Sequence, residues 1–191
     1  MSYLCGVIGL MLVQKILSCD TVALSLRIWG LSYHPRGEVA NAHLMPWKLD
    51  AQAYLVLNLG AGLYGELPLT YPWLTFRWAS AFYFDCARQR AGMFFIGMQS
   101  PTVHWGSHAL QGSFGVAYLW RCSWERLSGY QNPGFFRDSR IAPLQYRWIP
   151  AGELCYLYTW HPSWAFSIGI VPGWPHLIHL SIGIQKRFTE T

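Results

Sequence analysis

The chain predicts an all-β fold: an eight-stranded antiparallel up-and-down barrel that spans a membrane. Three observations carry that expectation. In residues 177–188, Ile178, Leu180, Ile182 and Ile184 take one set of alternate positions, and His179, Ser181, Gly183, Gln185 and Arg187 take the other. A period of two with one apolar and one small or polar face is a strand between two unlike solvents. Composition is the second observation. Only 12% of residues are charged while 17% are aromatic, with 11 Trp and 11 Tyr, and soluble domains carry about twice that charge. Lipid outside, a polar lumen inside and aromatic rings at both interfaces account for this balance. The third is the spacing of the connections, described below.

The strands follow in order. Residues 22–33 place Val22, Leu24, Leu26 and Ile28 on one face. Residues 52–64 alternate Ala53, Leu55, Leu57 and Leu59 with Tyr54, Val56, Asn58 and Gly60. Residues 71–84 set Phe76, Trp78, Phe82 and Phe84 against Thr75, Arg77, Ala79 and Ala81. The fourth strand is 91–99. In the fifth, 108–120, Leu110, Phe114, Val116, Tyr118 and Trp120 oppose Gln111, Ser113, Gly115 and Ala117. The sixth lies within 143–160, where Pro150 and Gly152 predict a bulge or a break; two strands there would raise the count to nine. Residues 164–171 and 177–188 complete the set. Connections 34–51 and 123–142 are long and the other five short. Both long ones are odd-numbered, so a meander puts them at one end, as in bacterial outer-membrane barrels with long outer loops and periplasmic termini.

Residues 1–20 read as a signal peptide or leader and 21–191 as the barrel. The apolar run 3–13 has signal-peptide length and is too short to span a bilayer, although no cation precedes it. An uncleaved N-terminal helix is the alternative. Residues 91–120 and 154–185 contain no Asp, Glu, Lys or Arg and are long enough for transmembrane helices, but their Gly, Pro and Ser content and period of two argue for strands. A soluble carrier of lipocalin type would turn the apolar faces inward.

The net charge is +5, and of the 14 cations only Lys15, Lys48 and Lys186 are lysines. Arginine binds phosphate with a planar fork. There is no basic run and no nucleic-acid recognition motif, so the expected partner is not nucleic acid but anionic lipid, lipopolysaccharide or phospholipid. The five cysteines (Cys5, Cys19, Cys86, Cys122, Cys155) show no CxxC and no zinc spacing. The last three read as buried or free thiols, with one disulfide as the alternative. No cofactor and no metal are called for.

Candidate chemistry concentrates where the long loops begin. His34 leaves the first strand and could serve as a general base at neutral pH. Asp85 and Cys86 open a later outer turn, followed by Arg88 and Arg90. On a meander the first and third strands end on the same side, so His34 and Asp85 could meet at the rim. Asp85 could orient the imidazole. Cys86 could be an activated nucleophile or an inert small residue. Arg36, Arg88, Arg90, Arg137 and Arg140 are candidates for holding headgroup phosphates. Trp124, Arg126 and Tyr130 add to a basic, aromatic second loop. Glu153 with Arg27, Arg77 and Arg147 reads as a structural lumen network. His179 and Ser181 share one strand face as a second base–nucleophile pair. His104, Trp105 and His108 fall near an inner turn, without a carboxylate that would make a metal site.

On these residues the chain resembles the small outer-membrane barrels that remodel lipid A. The histidine past the first strand (His34), the acid and small residue at an outer turn (Asp85, Cys86), the Val171-Pro172-Gly173 end of the penultimate strand and the terminal Phe188 resemble the palmitoyltransferase of that group. The resemblance implies an acyltransferase with His34, Asp85 and Cys86 as catalytic residues, although cysteine stands where that family has serine and three residues follow Phe188. His179 and Ser181 echo the His-x-Ser of the group's deacylase, a hydrolase, with Glu190 as the only downstream acid. The expected function is modification of lipid A or phospholipid acyl chains at the outer leaflet of a Gram-negative outer membrane, by a monomer. A non-enzymatic structural or adhesive barrel is the alternative, and a lipid-binding barrel the second alternative.

Overall fold

The computed structural model describes residues 21–69, 74–139, 143–173 and 177–189. The leader assigned to 1–20, Arg140 and Glu190 lie outside the described residues. The chain runs through β1 (Thr21–Tyr33), β2 (Leu55–Pro68), β3 (Thr75–Phe84), β4 (Arg90–Gln99), β5 (Val103–Trp105), β6 (His108–Cys122), β7 (Arg137–Asp138), β8 (Leu144–His161), β9 (Trp164–Gly173) and β10 (Leu177–Thr189). Eight of these are barrel staves. The short β5 folds back on β6, and β7 lies against β8. All neighbours are antiparallel, and β1 closes on β10 from Thr21↔Thr189 to Tyr33↔Ile178. Closure satisfies both sides of the seam strands, which an open sheet would leave as edges.

Two strands differ from expectation. β2 begins at Leu55 rather than residue 52. The Asp50 carboxylate accepts hydrogen bonds from the backbone N–H groups of Gln52, Tyr54 and Leu55 (3.0, 3.0 and 2.6 Å), and Ala53 has φ of 55°. A side chain that captures those donors holds the segment in a turn. The predicted bulge or break at Pro150 and Gly152 does not occur. β6 and β8 stay in register from His108↔Tyr158 to Cys122↔Leu144, through Val116↔Pro150. The reason lies on the other side of β8. Among the described residues β9 pairs with it only from Leu154 onward, so at the height of Pro150 a missing N–H breaks no described ladder bond to β9.

The pleat sorts the side chains as the alternation predicts. Leu26 and Ile28 are 64% and 61% exposed, while Ser25, Arg27 and Trp29 between them are buried. Phe94, Ile96, Phe114, Val116, Ile182 and Ile184 continue the outward apolar belt. Exposed aromatics flank it, with Phe84 and Trp148 toward the long-loop rim and Trp105, Trp160 and Trp164 toward the short-turn rim. This outward belt overturns the carrier reading, which needs the opposite orientation. Among the described residues no helix is long and apolar enough to cross a membrane, and the described parts of the segments weighed as helices are strands and the short turns between them.

The lumen is filled. Arg27 and Arg77 both pair with Glu153, and Arg77 Nη1 also donates to Glu66 Oε1 at 2.7 Å and Gln99 Oε1 at 2.6 Å. Gly169 faces this cluster, and a methyl group there would overlap Glu153 and Arg27. Arg147 is not a member. It faces inward six residues from Glu153, about 20 Å along a strand, and binds the carbonyls of Gly134 and Phe135 in the loop instead. Above the ion pairs, Trp29, Tyr64, Tyr83, Met93, Phe95 and Leu119 pack into an apolar plug. Side chains thus occupy the interior, as expected for eight staves.

Candidate functional site

The long segments 34–54 and 123–139 do not stand free of the barrel. They fold inward and meet. Asn41, buried in a 3₁₀ turn (Val39–Leu44), donates from Nδ2 to Glu38 Oε1 (2.6 Å) and to the carbonyl of Gln131 (2.7 Å). Its Oδ1 accepts from the backbone N–H of Gln131 at 2.8 Å. One amide therefore ties the first long loop to the second. Ala42, Met45, Val56, Cys86 and Trp124 form an apolar cluster of their own at this rim. Phe135 and Phe136 reach down from the second loop onto the barrel plug. Burial of this apolar surface gives the cap its stability.

Between cap and plug lies a cavity of about 270 Å³. His34, Arg36, Asp85 and Cys86 all line it, so the rim residues singled out in the sequence do converge. Their interactions are another matter. Asp85 Oδ1 accepts from the backbone N–H groups of Ala87 (3.0 Å) and Gln89 (2.8 Å), and Oδ2 accepts from Trp124 Nε1 at 2.7 Å. The carboxylate is thus engaged by its own turn and by Trp124, and no hydrogen bond joins it to His34. Burial raises Asp85 above the ordinary carboxylate range, outweighing these hydrogen bonds. Burial, followed by the nearby Arg121 charge, lowers His34 to about 4, so the imidazole is neutral at physiological pH. Burial, followed by the Asp85 charge, pushes the Cys86 thiol up. Nucleophilic cysteines need the opposite shift, because the thiolate is the reactive form.

The arginines assigned to phosphate do not converge. Of those among the described residues, only Arg36 lines the cavity, at its rim. Arg88, at φ of 61°, lies over the Trp47 ring at 5.6 Å. Arg90 and Arg137 are exposed and outside the cavity lining, and Arg126 is also exposed. Trp124 and Tyr130 do line the cavity. Cys86, Cys122 and Cys155 are free thiols, so the disulfide alternative is not realised among them.

Ser181 is not the partner of His179. Its Oγ donates weakly to the Gly169 carbonyl at 3.4 Å. Residues two apart on a strand share a face, but the closed seam brings Ser32 opposite His179. Ser32 Oγ and His179 Nδ1 share a 2.6 Å hydrogen bond, and Asn58 Nδ2 donates to Ser32 Oγ at 2.7 Å. The imidazole also packs against Trp29, ring centroids 4.7 Å apart. At the far rim, His108 Nδ1 shares a 2.6 Å hydrogen bond with the Tyr156 hydroxyl.

Among the cavity residues not singled out in the sequence, Arg121 and Asn58 carry polar groups that face it. Arg121 lies one position past the expected end of the fifth strand. The alternation of Leu119 and Arg121, extended by one step, marks it as inward. Its guanidinium lies over Trp124 (4.1 Å) and Phe136 (4.2 Å), with Nε donating to Gln145 Oε1 (2.9 Å) and Nη2 to the Tyr130 hydroxyl (3.1 Å). Asn58 is an inward strand residue only 5% exposed. It borders the cavity and its Oδ1 has no hydrogen-bond partner.

No protein-family model matches the chain, and no curated protein matches its sequence. Solved structures do match its shape. A designed transmembrane β-barrel has 9% identity and a TM-score of 0.52, covering 89% of this chain and 97% of that one. The outer membrane protein OprG of Pseudomonas aeruginosa has 12% identity and a TM-score of 0.50, covering 90% and 97%. Neisserial surface protein A has 8% identity and a TM-score of 0.48, covering 90% and 97%. Identities this low bear on the fold alone, which is the eight-stranded barrel of bacterial outer-membrane proteins.

Proposed function

We propose that this outer-membrane barrel is a non-enzymatic monomer that holds an ordered, outward-facing binding chamber above a sealed lumen. The observation that carries the reading is the engagement of Asp85. Its carboxylate serves the 85–89 turn and Trp124, leaving His34 without an acid to orient it and Cys86 without a base that would take its proton. Transfer of an acyl group needs an activated nucleophile held against its base, and this arrangement supports packing instead. The filled lumen adds a second argument. A long acyl chain needs an apolar channel below the rim, and Trp29, Tyr64 and Tyr83 occupy that space. The outward apolar belt and its aromatic flanks support direct contact with membrane lipid. Apart from the outer part of β8, the long staves find both neighbours within the chain, which supports a monomer.

The test is mass spectrometry of lipid A and phospholipids from envelopes carrying the wild type, His34→Ala or no protein, with folding checked by heat-modifiable migration. The expected result is the same acyl pattern in all three. New acyl products that need the wild type and disappear with His34→Ala would overturn the reading and return the weight to lipid modification.

A further inference from the structure

The chamber has walls, a floor and two unmet needs, and together these define a class of ligand. Its walls are aromatic: Trp124, Tyr130, Phe135 and Phe136 from the second loop, with Tyr83 from β3. A cavity of roughly 150 Å³ accommodates one benzene, so about 270 Å³ has room for one ring with polar substituents. The plug below excludes anything much longer.

The first need belongs to Asn58. Its side chain spends one end on Ser32 and leaves the other buried without a partner. This holds whichever way the amide is turned, because the Ser32–His179 hydrogen bond can run in either direction. An unpaired buried amide group is destabilising, and a hydrogen-bonding substituent on a ligand would relieve it. The second need is that of Arg121, three staves further around the wall on β6. Its neighbours are two aromatic faces, a tyrosine hydroxyl and a glutamine. Among the described residues no carboxylate lies within 4 Å of it. The acids that also line the chamber are engaged elsewhere: Asp85 with Trp124 and its turn, Glu38 with Asn41. A guanidinium walled by rings and lacking a carboxylate partner favours a planar anion that it can grip with two N–H groups.

We infer that the chamber binds a small aromatic carboxylate bearing a hydroxyl or similar hydrogen-bonding substituent, the carboxylate on Arg121, the ring among the loop aromatics and the substituent on Asn58. The inference rests on the chamber reading of the preceding section. It differs from an acyl-chain site in both the charge and the length of what is bound.

The experiment uses the full barrel refolded in detergent, with quenching of tryptophan fluorescence as readout, since Trp124 is a wall of the chamber. The probe is 4-hydroxybenzoate. Its uncharged isostere 4-hydroxybenzamide, benzoate and palmitate are the comparators. Saturable binding of 4-hydroxybenzoate in the millimolar range or tighter is expected. The benzamide should bind at least tenfold more weakly, benzoate several-fold more weakly, and palmitate should not compete. Arg121→Gln should abolish the preference for the acid over the amide. Asn58→Leu should abolish the preference for the hydroxylated ring and leave the charge preference in place. Equal affinity for acid and amide, or no saturable binding by the folded wild type, would overturn the inference. The comparison of the two probes on wild type stands even if a variant fails to fold. New acyl products in the lipid assay would sink the chamber reading itself, whereas unchanged lipids without hydroxybenzoate binding would sink only this ligand.

Discussion

Glu153 shows what one residue does in this barrel. It answers two buried guanidiniums, Arg27 and Arg77, inside a wall that faces lipid. Replacing it with Gln keeps the shape, leaves Arg27 without a carboxylate partner and leaves Arg77 with Glu66 alone. Breaking a buried pair in this way costs about 3–5 kcal/mol, so equilibrium urea unfolding of Glu153→Gln should fall by that order. The network was legible in the sequence for Arg27, Arg77 and Glu153, because each sits at an inward step of its own strand. Arg147 was misplaced because a period of two reports the face and not the height. His34 makes a different prediction. Its pKa in the fold is about 4, against about 6.5 when unfolded. Between these values the open state binds more protons, so the contribution of neutral His34 is present above pH 6.5 and lost as pH falls toward 4. Asp85, raised by burial, has the opposite sign and partly offsets this. Tryptophan fluorescence of the cap should report loosening over that range, and His34→Gln should flatten the profile.

At the scale of the element, the two long loops behave as one unit, and Asn41 joins them. Asn41→Ala removes three hydrogen bonds, two of them to the Gln131 backbone in the second loop. Amide exchange should accelerate by at least tenfold in residues 38–46 and 127–133, about 1.4 kcal/mol of local stability, with the strands unaffected. Pro150→Ala should shift barrel stability by less than about 1 kcal/mol, because among the described residues the register there already runs without a β9 partner. The strands themselves were largely legible, since lipid and lumen impose opposite demands on alternate residues. The start of β2 was not, because the turn depends on where the Asp50 side chain points. Nor was continuity through Pro150, which depends on how far a neighbouring strand reaches. The meeting of Asn41 with Gln131 spans 90 residues of chain and leaves no periodic trace.

Taken whole, the molecule is a plugged barrel under a folded cap. Planar bilayers containing it should show no steady conductance, because ion pairs and aromatics fill the interior. Barrel class, closure and the even strand count were legible from alternation and from loop lengths. That His34 and Asp85 could meet at one rim followed from the meander, but periodicity does not encode the loop geometry that brings them and Cys86 onto one cavity. The engagement of the Asp85 carboxylate by Trp124, 39 residues away, was not legible either. Hydrogen exchange on the refolded wild type tests the capped chamber most directly. Protection of the backbone amides of Asn41, Met45, Leu127 and Gln131, all hydrogen-bonded in the cap, is the predicted result. Exchange of these amides at the rate of an unstructured chain, beside well-protected strands, would mean open loops without a chamber and would contradict the account.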